Sequence, residues 1–265
     1  MGVLNITPDS FSDGGDFYFF GVDRALHRAE RMVEEGADIL DIGGESTRPG
    51  AAPVPMHEEI ERVVPVIEAI GPRVSVPISI DTSKPEVMHA AVNAGAGMIN
   101  DVRALREPGA LEIAVEASVP VCLMHMQGEP RTMQAAPVYQ DVVSEVRDFL
   151  QRRIEICVSA GLAPERVLVD PGFGFGKTLA HNLALLAGLP ELCSLGFPVL
   201  VGLSRKSMIG TLTGRSVAER LAGNLAAAVL AVEQGAHLVR VHDVAATVDA
   251  LRVVRAVRDF GSSAP

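Results

Sequence analysis

Eight short apolar runs divide the chain, and each ends on polar residues ahead of a stretch with helical spacing. The runs close at Asn5, at Gly43-Gly44-Glu45-Ser46-Thr47, at Asp81, at Asn100-Asp101, at His125, at Asp170, at Ser204-Arg205-Lys206 and at Arg240-Val241-His242. Their length and β-branched content predict strands over 2–5, 39–42, 77–81, 98–100, 121–124, 167–170, 198–203 and 238–241. Between them the apolar period lengthens to that of a helix. Helices are predicted over about 23–35, 58–70, 109–117, 141–160, 179–186, 217–234 and 245–260, with another opening at Pro85. In the first helix Ala25, Ala29, Met32 and Val33 make the stripe. In the second it is Ile60, Val63, Val64 and Ile67, with Pro65 inside, which allows a kink there. Thr82 or Ser83 is expected to cap the helix at Pro85.

Gly36-Ala37, Gly95-Ala96 and Gly235-Ala236 recur just before a strand and read as the tight turns of a repeated βα unit. Eight such units in 265 residues predict the α/β class, as a single (β/α)8 TIM barrel with one domain over 1–265. A doubly wound sheet also alternates strand and helix, but it gathers its site at one switch point. Here polar residues close nearly every run. In a barrel of parallel strands those ends share one face, and that face carries the active site. A buried strand has no structural need of Asp or Lys at its last position, so the pattern predicts the fold and the site together.

Composition narrows the function. Hydrophobic residues make up 48% of the chain, enough for a large core, yet no apolar run approaches the ~20 residues that span a membrane. No signal peptide is visible, since Met1 leads straight into a strand and a Pro/Asp/Ser/Gly loop. Cys122, Cys157 and Cys193 are odd in number and widely spaced, which disfavours a disulfide framework or zinc site and predicts a cytoplasmic location. The formal charge of −10 disfavours a nucleic-acid partner, while a local Arg/Lys cluster could still hold a small anion.

Among the strand ends, Asp81 and Asp170 both follow β-branched apolar residues. A carboxylate there needs a partner: a cationic or N–H-rich ligand, a structural ion pair, or the start of the next helix. Capping is a live rival at Asp81, before Thr-Ser-Lys-Pro, and a less natural one at Asp170, before Pro-Gly-Phe-Gly. Asn100 offers a donor and an acceptor, and with two Asp and Lys206 could read a flat heterocycle with amino and carbonyl edges. Asp101 is expected to serve the fold. The stretch from Gly172 to Thr178 resembles a phosphate loop but breaks the pattern, because Pro171 stands at the first glycine position. Its glycines more naturally let Phe173 or Phe175 reach over a pocket, with a core role open for one of them.

Ser204-Arg205-Lys206-Ser207 sets two cations beside two hydroxyls after strand seven, where barrels often bind phosphate. Arg240 and His242 are two apart and can share a side of the last strand. An Arg among Leu and Val is costly unless something anionic or aromatic meets it. Arg48 lies in a Gly/Pro-bounded loop. The neutral oxygen of Asn5 suits Mg²⁺ held mainly by substrate phosphates and water, or else Asn5 simply forms a turn. His27, His57, His89, His181 and His237 read as solvated or remote from the site, and His125 lacks a second ligand at metal spacing. Cys122 reads as core, and no Ser-His-Asp or Cys-His arrangement can be assigned.

Taken in order along nearly the whole chain, several motifs resemble the bacterial dihydropteroate synthases. They are Asn5-Ile-Thr-Pro-Asp-Ser-Phe-Ser-Asp-Gly-Gly, Gly43-Gly-Glu-Ser-Thr-Arg-Pro-Gly, Ser79-Ile-Asp-Thr-Ser-Lys-Pro, Ile99-Asn-Asp-Val, His125-Met-Gln-Gly, Asp170-Pro-Gly-Phe-Gly-Phe-Gly-Lys, Gly202-Leu-Ser-Arg-Lys-Ser and Arg240-Val-His. The resemblance implies condensation of 6-hydroxymethyl-7,8-dihydropterin pyrophosphate with 4-aminobenzoate in folate synthesis. It implies that Asp81, Asn100, Asp170 and Lys206 hold the pterin, with Arg240 against its ring. Asn5 would bind Mg²⁺ on the pyrophosphate, beside Arg48, Arg240 and His242. Thr47, Arg48, Pro49, Phe175 and Ser207 would shape the aminobenzoate side, where sulfonamides compete. Lys206, Arg240, His242 and Arg48 are the implied catalytic residues, acting by charge.

Two alternatives share the pterin contacts: a methyltetrahydrofolate-type methyltransferase, which has no need of a pyrophosphate cluster, and a non-catalytic pterin-binding paralogue. The family carries residues ahead of its first strand, whereas Met1 already lies in the strand here, so either the chain is cut or its floor is built differently. An added upstream segment is then expected to raise the melting temperature. The helix over 217–234 is apolar on more than one face, which predicts a homodimer through it.

Overall fold

A computed structural model of the chain describes residues 1–6, 17–46, 50–129 and 131–263. Strands β1 (Gly2–Asn5), β2 (Leu40–Gly43), β3 (Ile78–Asp81), β4 (Met98–Asp101), β5 (Val121–Met124) and β6 (Val167–Asp170) pair in sequence order, all parallel. β7 (Leu200–Val201) pairs with β8 (Leu238–Val239). Two parallel bridges close the ring. Val169 meets Val199 between β6 and β7, and Val241 meets Gly2 beyond β8. At the second seam Val3 N–H donates to Val241 C=O at 2.9 Å, and Val241 N–H donates to Met1 C=O at 3.0 Å. The result is a closed (β/α)8 barrel.

The alternation along each strand sorts side chains into two layers. Outward residues such as Leu40, Ile42, Ile80, Ile99, Leu123 and Val169 join the main core. They meet α1 (Phe17–Glu34), α2 (Met56–Ile70), α3 (Pro85–Asn93), α4 (Ala110–Ala117) and α5 (Val142–Ser159), whose apolar stripes include Ala25, Ala29, Met32, Val63, Ile67, Met88 and Leu150. Inward residues at the floor form a separate apolar plug of Met1, Met98, Cys122 and Leu200, packed with Ile39, Leu168 and Leu238. One inward step further up, the residues become Asp41, Asn100, Met124, Asp170, Gly202 and Arg240, with Asp81 in register with Asn100 and Gly43 a further step above Asp41. The polar strand ends are thus the top layer of the barrel interior.

The repeated Gly-Ala pairs close their helices alike. Ala37, Ala96 and Ala236 donate backbone N–H bonds of 2.8–2.9 Å to Met32, Ala91 and Ala231, the wrap that ends many helices. Pro65 lies inside α2 without ending it.

Two expectations need correction. Neither Thr82 nor Ser83 caps α3; Lys84 is the residue before it and makes no side-chain cap. The Ser83 hydroxyl instead donates to Asp101 Oδ1 at 2.5 Å. Asp101 is fully buried and also accepts the N–H groups of Arg103 (2.8 Å) and Leu105 (2.7 Å). A cap oxygen accepts from N–H groups of the first turn, and the helix starts one residue later than that expectation, with Lys84 at the cap and Pro85 first. Asp101 serves the fold, holding a turn in which Ala104 and Leu105 are left-handed, at φ 54 and 55°. The helix expected over 217–234 is also subdivided. α6 (Leu179–Ala187) and the short α7 (Leu189–Cys193) precede β7. After β7 come α8 (Ser207–Thr213), a 3₁₀ turn at Val217–Glu219 and then α9 (Leu221–Glu233). The Ser216/Glu219 capping box starts that turn separately. α10 (Val244–Ser263) is the last described element.

Candidate active site

The top layer is organised by Arg240, which follows β8. Its Nε donates to Asp41 Oδ2 at 2.5 Å and its Nη2 to Asp81 Oδ2 at 2.6 Å. Asn100 Nδ2 donates to the same Asp41 oxygen at 3.2 Å. One guanidinium therefore links the last strand to β2 and β3. Burial works against the Arg240 charge, but Asp41 and Asp81 more than offset it, and its pKa is raised. Burial raises the Asp81 carboxyl, with Arg240 pulling the other way. Capping is ruled out as the task of Asp81.

Asp41 is absent from the sequence-derived set. It sits one residue inside β2, between Leu40 and Ile42, and is fully buried. The signal was present, since an acid in the middle of an apolar strand needs a partner, but attention to strand ends passes over it. Its second oxygen, Oδ1, has no partner among the described residues, nor does the hydroxyl of its register neighbour Ser79. A bare buried carboxylate oxygen costs energy until a donor arrives.

Across the mouth, Asp170 ends β6 and accepts the Gly172 N–H at 2.7 Å. Burial raises its pKa, opposed by that N–H and by Lys206. The Lys206 ammonium lies 4.2 Å from the centre of the Phe175 ring. Burial lowers it to about 8, with Asp170 opposing and Arg240 adding. The Lys206 backbone is braced from α9. Arg220 donates to the carbonyls of Arg205 (3.0 Å) and Lys206 (3.3 Å), and Asn224 accepts the Arg205 N–H at 2.9 Å. Arg205 itself is left-handed, φ 61°, and pairs outward with Asp243 at 2.6 Å. Ser207 opens α8 on the exposed rim.

His242 follows Arg240 by two residues and contacts the Ser204 hydroxyl through Nδ1 at 3.1 Å. Asn5, half-buried, ends β1 in register with Gly43. Val102, Met124, Met126, Met133 and Phe175 make a second, small apolar cluster that lines the mouth apart from the main core. Phe173 is in the main core and Phe175 at the mouth, which settles their division of labour. Thr47, Arg48 and Pro49 lie outside the described residues, as do residues 7–16.

Beside the mouth, a cavity of about 420 Å³ opens from Asp81 towards Glu45, Lys84 and Arg103. Lys84 clamps Glu45 and the fully buried Glu59. Sequence reading missed this triad, whose members are 14 to 39 positions apart.

The arrangement offers a slot walled by apolar and aromatic side chains and edged by carboxylates, an amide, an ammonium and a guanidinium. The pattern defining the family described as pterin binding enzymes matches residues 1–242. Dihydropteroate synthases from Escherichia coli (strain K12) and Haemophilus influenzae are 57% and 56% identical over 256 residues, covering 97% of this chain and 90% and 92% of theirs. The chain belongs to the pterin binding enzyme family. Solved structures agree. Xanthomonas albilineans dihydropteroate synthase with 4-aminobenzoic acid superposes with a TM-score of 0.93 at 57% identity, covering 100% of this chain and 93% of that one. Its complex with 7,8-dihydropteroate gives 0.90 at 55% identity, covering 100% and 94%.

Removing the guanidinium would strand two buried carboxylates. Arg240→Met is expected to lower the unfolding free energy by about 3 kcal/mol, measured by urea denaturation. Arg240→Lys should recover only part, since a single ammonium cannot reproduce the planar fork. A loss within the range of an ordinary surface substitution would contradict the bridging role.

Proposed function

We propose that this protein is a dihydropteroate synthase. It condenses 6-hydroxymethyl-7,8-dihydropterin pyrophosphate with 4-aminobenzoate to give 7,8-dihydropteroate and pyrophosphate, a step of folate biosynthesis. The observation that carries the reading is the mouth itself, where Asp41, Asp81, Asn100 and Asp170 face Lys206 and Arg240 above an apolar wall. That is a lining for a flat ring with N–H and carbonyl edges. Asp170 accepts paired N–H bonds from the guanidine-like edge of the pterin. Asp81 and Asn100 take further ring positions, Asp41 offers its bare oxygen, Lys206 donates to an acceptor edge, and Arg240 lies against the ring. Phe175 and Ser207, with Thr47, Arg48 and Pro49, form the aminobenzoate side.

In the reaction, the bond from the pterin methylene to the pyrophosphate oxygen breaks, and its electron pair leaves with pyrophosphate. The electron-rich dihydropterin stabilises the methylene cation, so the path is SN1-like. The arylamine nitrogen then forms the new carbon–nitrogen bond and gives its surplus proton to water. Because the amine is a neutral nucleophile at ordinary pH, no Ser-His or Cys-His pair is needed. Arg240, Arg48 and Lys206 hold positive charge where negative charge develops, with His242 as a hydrogen-bonding partner beside them.

Mg²⁺ fits only in a particular way. No group of three acidic, His or Cys side chains able to hold a metal occurs among the described residues, and Asp41 and Asp81 are taken by Arg240. Asn5 supplies one neutral oxygen at the mouth, which suits an ion brought mainly by pyrophosphate and water. When bound, the ion would offset charge on the leaving group.

A pyrophosphate-release assay with both substrates and Mg²⁺ tests the activity. Release dependent on 4-aminobenzoate is expected, whereas pterin binding without turnover would mark a non-catalytic relative. Lys206 gives a pH test. It is charged below about 8 and loses its proton above that, so pterin affinity should fall as pH rises, roughly tenfold by about pH 9 if only the charged form binds. No fall between about pH 8 and 9 in the wild type would remove the ammonium from the contact, and Lys206→Met should lose that fall.

We also place the protein in the cytoplasm, where its three free thiols are kept reduced; fractionation to another compartment would overturn this. No described helix is long and apolar enough to cross a membrane. A homodimer through α9 and its neighbours follows from exposed Leu212, Val217, Leu221 and Leu230, which leave that face apolar while Ala227, Ala228 and Ala231 pack inward. Light scattering at micromolar concentration should give twice the chain mass, and a monomeric mass rejects the dimer.

A further inference from the structure

His125 and Lys177 are buried, and the reaction uses neither. Lys177 is 3% exposed and His125 6%. The Lys177 ammonium has three protons and meets three acceptors: Gly172 C=O at 2.9 Å, Phe175 C=O at 3.0 Å and His125 Nδ1 at 2.9 Å. His125 can accept because it is neutral. Burial, then the Lys177 charge, lowers its pKa to about 2. Its ring is fixed edge-on against Phe149, 4.9 Å between centres. Burial also lowers Lys177, to about 7, against the pull of Asp170.

These contacts fix one turn of a loop that other side chains also hold. Gly172 and Gly176 are left-handed, and a Cβ on either would strike the carbonyl of His125 or of Gln127. The loop after β6 therefore lies flat on the chain after β5, a closeness that only glycine allows. Side chains gather its other polar groups. Tyr139 Oη donates to Gly176 C=O at 2.9 Å, Gln134 donates to Gly174 C=O, and Asn182 Oδ1 accepts the Gly174 N–H at 2.7 Å. Lys177 reaches both ends of the segment that carries Phe175, a turn that the Phe175 N–H also closes on the Gly172 carbonyl at 3.1 Å, and the Phe175 ring lies against the Lys206 ammonium.

We propose that Lys177, with His125 as its acceptor, is the positioning residue of Phe175: by gathering the Gly172 and Phe175 carbonyls it sets the ring against Lys206. Its kinetic consequence rests on the reading above that Phe175 faces 4-aminobenzoate. A purely structural lysine would alter stability. A positioning lysine alters the site of one substrate.

The test uses the full chain as Lys177→Met and, in case that variant does not fold, His125→Phe, which keeps a ring but removes the acceptor. The protein carries 4-fluorophenylalanine, with the Phe175 resonance assigned by Phe175→Leu. We expect KM for 4-aminobenzoate to rise on the order of tenfold in Lys177→Met, with KM for the pterin substrate and kcat changing far less. The Phe175 fluorine resonance should shift or broaden. His125→Phe should move both readouts the same way by less, and His125→Gln, which keeps an acceptor, should return them towards wild type. A folded variant with wild-type KM and an unmoved resonance overturns the proposal. A moved resonance with unchanged KM supports the positioning and overturns instead the placement of 4-aminobenzoate against Phe175.

Discussion

Arg240 spans two buried carboxylates, and the upper half of the barrel is arranged around that fork. Asp41 and Asp81 could not be buried as a bare pair, because two like charges in a closed interior repel and are poorly solvated. A planar guanidinium answers both at once and in doing so joins β8 to β2 and β3 across the barrel mouth. The arrangement leaves Asp41 Oδ1, buried below the mouth, without a partner among the described residues. Stability and the proposed recognition thus draw on the same charges.

The alternation of the strands explains how such charges coexist with a large core. Outward positions are apolar and pack on helices. Inward positions are apolar at the floor and polar at the mouth. This is why the strand ends spoke so clearly in the sequence: the polar residues Asp81, Asn100, Asp170 and Arg240 occupy inward positions of the top layer, and no helix competes for them. The fold class was legible for the same reason, since eight apolar runs with polar ends have few other solutions.

What stayed hidden was the pairing across the barrel. Asp41 looked like an interior strand residue because its partner, Arg240, lies 199 positions away. His125 ended a run without evident purpose because Lys177 is 52 positions on, in a glycine-rich loop that suggests phosphate binding and instead clasps its own carbonyls. Ser83 was read as a cap from local spacing, while the buried Asp101 took its hydroxyl. Local rules locate elements well, but they do not reveal which distant charge needs which donor. The Lys84 clamp on Glu45 and Glu59 is another such case, tying the segment after β2 to α2 and α3 beside the mouth.

In the proposed function the pterin lies inside the barrel mouth, ringed by the inward top layer, and not in the neighbouring cavity by Lys84. A crystal structure of this chain with 7,8-dihydropteroate tests it most directly. The pterin ring is expected within hydrogen-bonding distance of Asp170 and Asn100, against Arg240, with the aminobenzoate portion directed towards Phe175. A pterin ring seated instead between Glu45, Lys84 and Arg103, with the Asp170 side left to solvent, would contradict it.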